Sequence, residues 1–407
     1  MAKKLKVLHV ASWFPSEVHR SLGNFVARHV EAVAKECETE VWAPIPVKGA
    51  ASAVTKMRAA NGVENMTNER GSWTIRRLYH EATRPQLVGV ARAMAGQAAS
   101  GSWKPDVVHL HVAYAAGSAA VAWAQKWNVP VVLTEHWTAY HDFKSMPWWR
   151  RRVVSDVVRH ADVICPVSED LESAMRTAIP RAQGAMRIVP NVVDTERFKI
   201  AEPELLSGVP VGITRRKMER DHLNRILHVS SLNDDQKNVT GLLDALKGLM
   251  RNHGSLRATF VGGEAADLGG YKAKVDAMGL SERIAFTGPL GTADVIRHMQ
   301  THDVLVLNSR RENFPCVIPE AWACGLPVMS TDVGGIREHL PKGLSERGFL
   351  LDGEASSEAW QAAFQEVNAA QWDAQTIRSY ATQHFGMDAI ATKYLEVYRE
   401  ALDKCKR

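Results

Sequence analysis

Short Val-rich runs alternate with amphipathic stretches along almost the whole chain. "KVLHVAS" (6–12) precedes the helical pattern "NFVARHVEAVAKE" (24–36). "DVVHLHV" (106–112) leads through "GSAAVAWAQKW" to "VPVVLTEH" (129–136), and "ADVICPVS" (161–168) through "EDLESAMRTA" to "RIVPNVVD" (187–194). Apolar runs this short, separated by helical patterns, predict parallel strands with helices on both faces. Strands buried on both faces tend to be Val-rich, as these are. The rhythm breaks at 200–224, where prolines, glycines and charges predict a linker or irregular excursion. It resumes with "RILHVSSL" (225–232), "LRATFVGG" (256–263), "RIAFTGPL" (283–290), "DVLVLNS" (303–309), "LPVMSTD" (326–332) and "GFLLD" (348–352).

At 407 residues the chain exceeds the roughly 250–300 that one core supports. Two Rossmann-like domains are therefore expected, over 1–215 and 216–380. A C-terminal helix over 381–407 is expected to pack back on the first domain. Ligands of such sheets sit beyond the strands' carboxyl ends, so the two domains are expected to face a central cleft.

Composition excludes several classes. No apolar run approaches the ~18–20 residues of a membrane-spanning helix, and the N-terminus reads as a first strand, not a signal peptide. Five scattered cysteines form neither a disulfide framework nor a metal-ligand pattern, which fits a reducing cytoplasm. The net charge of +5 is uneven: residues 1–215 hold 27 Lys+Arg against 20 Asp+Glu, and the remainder 23 against 25. A basic first half suits a phosphate-bearing substrate or an anionic membrane surface. No nucleic-acid-binding motif accompanies it.

Several loops carry candidate chemistry. Gly23 and Asn24 stand at a strand–helix turn, where bare amides attract anions; the plainer reading makes Asn24 an N-cap. This is not a GxGxxG fingerprint, so a dinucleotide redox enzyme gains little support. His136 directly follows an apolar strand, where an imidazole can donate to a substrate or simply be satisfied in the core. His109 and His111 read as packing and support. Lys237 lies next to Asn238, which reads as the N-cap of the following helix. A lysine near a helix start makes dipole sense only with an anion. Gly263 and Gly288 each end a strand and leave room for a ligand or a tight turn.

The richest stretch is "RENFPCVIPEAWACGLPV", running from Arg311 to Val328. A loop enters a helix here. The amides of Phe314, Cys316 and Val317 would have no partner inside that helix. Glu312 stands before them and Glu320 about one turn further in. Amides suit phosphates, and carboxylates accept from hydroxyls. A nucleotide sugar presents both groups.

These residues resemble the retaining GT-B glycosyltransferases of family four (glycosyl transferases group 1). Seven residues separate the two glutamates of "ENFPCVIPE", the family's donor-motif spacing. The similarity continues through "EAWACGLPVMSTDVGGIRE", "VPNVVDTERF" and "ADVICPVSEDL". The resemblance implies that Glu320 accepts from the donor's ribose hydroxyls and Glu312 from the sugar's. It implies that Lys237 neutralises the diphosphate, that Gly23 approaches the phosphates, and that His136 sits beside the transferred sugar. It implies transfer with retention of anomeric configuration, without metal or other cofactor, from a UDP- or GDP-sugar to a glycan or lipid-linked acceptor. Cell-surface polysaccharide or glycolipid synthesis in the cytoplasm, at the inner face of the plasma membrane, would follow. Ser231 stands where the family commonly has arginine, and Arg310 and Arg311 are the nearby replacements. Asn313 stands where glycine is common.

"FKSMPWWRRRVVSDVVRH" (143–160) reads as a packed helix with a solvated basic end, or as a membrane-surface patch of Trp148, Trp149 and three arginines. Two other functions suit the same fold: a nucleotide-sugar epimerase and a non-catalytic sugar-nucleotide or glycan binder.

Overall fold

The computed structural model describes residues 4–19, 22–48, 63–68, 71–82, 85–95, 103–182, 184–201 and 223–405. Most of the irregular excursion at 200–224 lies outside the described residues. The chain forms two compact units, one of residues 1–192 with 387–407 and the other of residues 193–386. These divisions replace the expected ones at 215/216 and 380/381.

Unit 1 is built on an eight-stranded sheet. In chain order its strands are β1 (Lys6–Ala11), β2 (Glu38–Val47), β3 (Val63–Asn68), β4 (Gly71–Glu81), β5 (Val107–His111), β6 (Val131–Glu135), β7 (Val163–Pro166) and β8 (Ala185–Met186). The spatial order is β3-β4-β2-β1-β5-β6-β7-β8. All neighbours are parallel except the edge pair β3–β4, which is antiparallel. Successive side chains leave opposite faces, and both faces are buried. Leu8, Val108, Leu110 and Leu133 pack on one side with Val154, Val157 and Leu171. Val7, Val107, Val132 and Val163 pack on the other with Ile390, Tyr394 and Tyr398 of the helix Met387–Cys405. That last helix is part of unit 1, although all of unit 2 precedes it.

Unit 2 holds a seven-stranded sheet of β9 (Arg225–Val229), β10 (Arg257–Val261), β11 (Ile284–Gly288), β12 (Val304–Leu307), β13 (Val328–Thr331), β14 (Gly343–Ser345) and β15 (Gly348–Leu351). Its order is β11-β10-β9-β12-β13-β15-β14, parallel except β14–β15. Ile226, Phe260, Val304 and Val306 meet Leu242, Leu246 and Phe364 on one face. Leu227, Leu305 and Leu307 meet Ile318, Trp322 and Phe385 on the other. The unit is closed where its ends meet: the Val193 amide donates to the Phe385 carbonyl.

Candidate active site

In unit 2, β9 and β12 are neighbours, so the loops after them leave the sheet side by side. After β9, Ser230 Oγ lies 2.8 Å from His228 Nε2 and accepts the Leu232 amide at 3.0 Å. His228 is buried between β12 and this turn, with Nδ1 2.8 Å from the Val306 carbonyl. Burial pushes it down to about 4, so it is neutral near pH 7. Nδ1–H then donates to the carbonyl and Nε2 accepts from Ser230. Leu232 is held at φ 55°, a left-handed conformation costly for a branched residue. Ser231 itself is exposed, and the organiser of the turn is Ser230. Nothing in the sequence pattern singles out His228 or Ser230; a polar pair two residues apart at a strand end is the available signal.

The turn delivers a short helix, Asp234–Lys237, whose N-cap Asn233 accepts the Gln236 amide. Asn238 follows in the left-handed conformation and starts the helix Val239–Asn252 without a side-chain cap. Asn238 is thus a joint between two helices, not the side-chain cap expected. Lys237 consequently stands at a helix carboxyl end, where a cation is favoured.

From there Lys237 Nζ donates to Glu312 Oε1 at 2.5 Å. Ser309 Oγ donates to the same oxygen at 2.8 Å. The Arg310 guanidinium donates to the Asp234 carbonyl and to Asn238 Oδ1, and the Arg310 amide to the Gln236 carbonyl. Arg310 is a nearby replacement for the charge missing at Ser231, but its guanidinium is engaged in holding the two loops together. Arg311 is exposed.

A second brace comes from the turn after β13. Gly334 has φ 58°, and a Cβ there would lie 2.0 Å from the Glu312 carbonyl oxygen. The Gly335 amide donates to the Asn313 carbonyl at 2.6 Å. The "GG" of "DVGGIRE" therefore fixes the Glu312 loop, a role that the linear pattern does not reveal. Phe314 is core: its ring stacks 5.3 Å from Phe385 and 4.9 Å from His339. Only its backbone remains for a ligand. Cys316 and Val317 lead the helix Val317–Ala323, seven residues long, so its dipole is small. Glu320 is buried in its first turn.

Gly262 and Gly263 end β10 with φ 111° and 78°. A Cβ on Gly263 would approach Leu232 at 2.9 Å, which ties this glycine to the β9 turn. Gly288 has φ 75° with nothing nearer than 3.8 Å to a Cβ; its strand-end conformation, not crowding, requires glycine.

In unit 1, Gly23 turns the chain at φ 78°, where a Cβ would lie 2.5 Å from the Trp13 carbonyl oxygen. Asn24 is the first helical residue and caps nothing; Gly23 occupies the cap position. This helix brings Phe25 to 4.4 Å and His29 to 5.2 Å of the His136 ring. Trp13 packs edge-on against both Phe25 and Trp137. The Gly23 turn and His136 are thereby gathered into one aromatic cluster. Burial and the neighbouring His29 hold His136 well below its usual range, so it offers a neutral imidazole.

Glu135 is a buried acid that no motif marks in the sequence. It accepts the amides of Ala113, His136 and Trp137 and the Tyr140 hydroxyl. Burial raises its carboxyl, and those bonds partly offset the rise. Behind it lies an imidazole cluster. His9 Nδ1 is 2.9 Å from His111 Nε2, and His109 is bonded to Tyr398 and Thr134 at 2.7 Å each. Tyr394 joins Thr134 to His29. His9, His109 and His111 lie close enough together for a metal ion. Both His109 nitrogens are already bonded to hydroxyls, and one nitrogen each of His9 and His111 is spent on the other, so the set fits an imidazole–hydroxyl network better than a metal.

Comparison with known proteins bears on both units. A family model described as Glycosyltransferase Family 4 matches residues 23–197, and one described as Glycosyl transferases group 1 matches residues 224–368. A D-inositol 3-phosphate glycosyltransferase of Jonesia denitrificans is 26% identical over 315 residues, 72% of this chain and 71% of that one. Among solved structures, sucrose-phosphate synthase from Thermosynechococcus elongatus superimposes with a TM-score of 0.75 at 16% identity, covering 98% of this chain and 100% of that one. HepE of Anabaena in complex with UDP-glucose gives 0.68 at 19% identity, covering 97% and 99%.

Proposed function

Because the chain belongs to the family 4, group 1 glycosyltransferases and has their GT-B fold, we propose that it transfers a hexose from a nucleoside diphosphate sugar to a glycan or lipid-linked acceptor, with retention at the anomeric carbon. The observation that carries this reading is the braced loop of unit 2. A carboxylate, Glu312, is held rigidly by Lys237 and Ser309, with the buried Glu320 on the helix that follows. The UDP-glucose complex of the similarly folded Anabaena protein supports a nucleotide-sugar donor.

On this reading Glu320 accepts from ribose hydroxyls and Glu312 from the sugar's. Its second oxygen stays available for that. The amides of Phe314, Cys316 and Val317 meet phosphate or sugar, and the strand-end glycines Gly263 and Gly288, with Ser231, border the donor. Lys237 is placed to share its charge between Glu312 and the departing diphosphate, a preorganised electrostatic role. Taken by itself, unit 1 offers the neutral His136 imidazole as a hydrogen-bonding group for a sugar and the Gly23–Asn24 turn as backbone for an anion. No step of this scheme calls for a metal. The acceptor class suits surface polysaccharide or glycolipid synthesis at the inner face of the plasma membrane.

The test is direct. Purified protein is incubated with UDP- and GDP-hexoses and an acceptor glycan pool, and the product anomer is read by NMR. Acceptor-dependent nucleotide release with the donor's anomeric configuration supports the proposal. Nucleotide release without any acceptor product points to the epimerase reading, and binding without release to the non-catalytic one.

A further inference from the structure

Arg150 stands in the first turn of the helix Trp148–His160. Its guanidinium carbon lies 4.7 Å from the Tyr114 ring centroid and 5.4 Å from that of Trp149. Its Nε is buried without a hydrogen-bond partner, and no carboxylate pairs with it among the described residues. Arg151 and Arg152 follow, and the first turn holds no acid. The positive end of a helix dipole repels cations, so three consecutive arginines here are unfavourable in isolation. An anion beside them removes the conflict.

A cavity of about 750 Å³ opens at this point. It lies at the carboxyl edge of the unit 1 sheet, with Lys48 just past β2 and Tyr114 just past β5. That edge is where parallel α/β sheets bind ligands, and the volume is that of a small-molecule site. His19, Lys48 and Arg150 line it with Tyr114 and Trp149, and no carboxylate is among its described lining residues. These basic side chains come from three separate segments. A phosphate, with three strong acceptor oxygens, uses such a set more fully than a carboxylate's two. Aromatic rings beside the charges give a sugar ring an apolar face to pack on. Trp148, by contrast, is 70% exposed and does not line the cavity.

We propose that this cavity binds the acceptor through a phosphate carried on a saccharide, with Arg150 and Lys48 as its charge partners and Tyr114 and Trp149 as the platform for the sugar. The inference rests on the transferase reading above. The phosphate comes either from a soluble sugar phosphate or from a lipid-linked sugar diphosphate.

The experiment is calorimetric titration of the full chain at saturating UDP or GDP, whichever it binds, so that phosphate groups are not scored at the donor site. The probes are glucose, glucose 6-phosphate, and glucose joined through diphosphate to a polyprenyl chain in detergent micelles. At least one phosphorylated probe is expected to bind tenfold or more tighter than glucose. That preference should fall at least tenfold in Lys48→Ala/Arg150→Gln, and Trp149→Ala should weaken the same probe. Thermal melting serves as the fold check, and Trp149→Ala is the readout if the double variant melts early. Binding by glucose 6-phosphate assigns the soluble source; binding by the polyprenyl probe alone assigns the lipid source. Equal affinity for all three probes, or variants that bind as wild type does, overturns the proposal while binding of UDP or GDP leaves the transferase reading standing. If wild type binds neither UDP nor GDP, the transferase reading falls and takes this one with it.

Discussion

Lys237 Nζ lies 2.5 Å from Glu312 Oε1, and the two side chains retain only 14% and 7% of their exposure. The pair joins loops 75 residues apart in sequence, and Ser309 shares the same carboxylate oxygen. Removing one partner of such a pair leaves the other charge poorly solvated, which costs more than the pair itself contributes. Lys237→Met and Glu312→Gln should each destabilise unit 2, and the double variant should lose less than the sum. A double-mutant cycle by urea denaturation should give a coupling of about 1–3 kcal/mol. A coupling near zero would show that the pair does not hold the two loops together. Transfer by Lys237→Met should fall on the order of a hundredfold, the usual cost of a lost group that stabilises developing charge.

Gly334 tests the brace behind Glu312. Alanine at φ 58° would set a methyl 2.0 Å from the Glu312 carbonyl oxygen, so either the turn or the loop must move. Gly334→Ala should lower thermal stability and weaken donor binding together, with a backbone cost of about 1–3 kcal/mol. Stability lost with donor affinity intact would show that the loop's position is not what the donor reads.

The strand–helix alternation makes most of both sheets legible in the sequence, because strands covered on two faces leave a Val- and Leu-rich trace that helices do not. The expected strand at 187–194 is instead irregular apart from a bridge at Val193, with β8 just before it at Ala185–Met186. The edge pair β3–β4 leaves no such trace. The unit boundaries are less legible. The visible break at 200–224 is a compositional event, whereas the actual closure is the bond from Val193 to Phe385, a pairing that no local pattern encodes. Glu312 and Glu320 stand out because their spacing is local. Lys237 stands out by its place beside a helix start, but its pairing with Glu312 does not, since the two meet only through the adjacency of β9 and β12. The basic-aromatic segment looks like one patch in the sequence. The fold divides it, with Trp148 outward and Trp149 and Arg150 lining the cavity.

Five histidines of unit 1 make its stability depend on pH. Burial lowers His9 and His29 to about 3 and holds His109, His111 and His136 well below 6.5. In the unfolded chain each titrates near 6.5. Above that value neither state is charged, and these groups make no difference. As pH falls below 6.5 the unfolded chain gains protons that the fold refuses, and stability declines by up to about 1.4 kcal/mol per pH unit per histidine. Glu135, whose carboxyl is raised, works in the opposite direction but is one group against five. Urea midpoints should agree at pH 7.5 and 8.5 as far as these residues go, and fall clearly at pH 5.5. A midpoint unchanged at pH 5.5 would show that the imidazoles take up protons in the folded state.

Trp148 is the exposed aromatic of the basic segment, with Arg152 exposed beside it. No helix among the described residues is long and apolar enough to cross a membrane. Flotation with vesicles containing anionic phospholipid should carry the protein upward at low salt, less so at high salt, and less so for Trp148→Ala/Arg152→Ala. No flotation at low salt would end the membrane proposal without touching the transferase one.

On the proposed function, unit 2 holds a nucleotide sugar through Glu320. Calorimetric titration of UDP- and GDP-hexoses into wild type and Glu320→Ala measures it. Losing a hydrogen bond to a charged group costs about 1.5–3 kcal/mol, so the donor that binds wild type should bind the variant at least tenfold more weakly while the variant's melting temperature stays close to wild type. Equal affinity in the two proteins would contradict the assignment of the donor site.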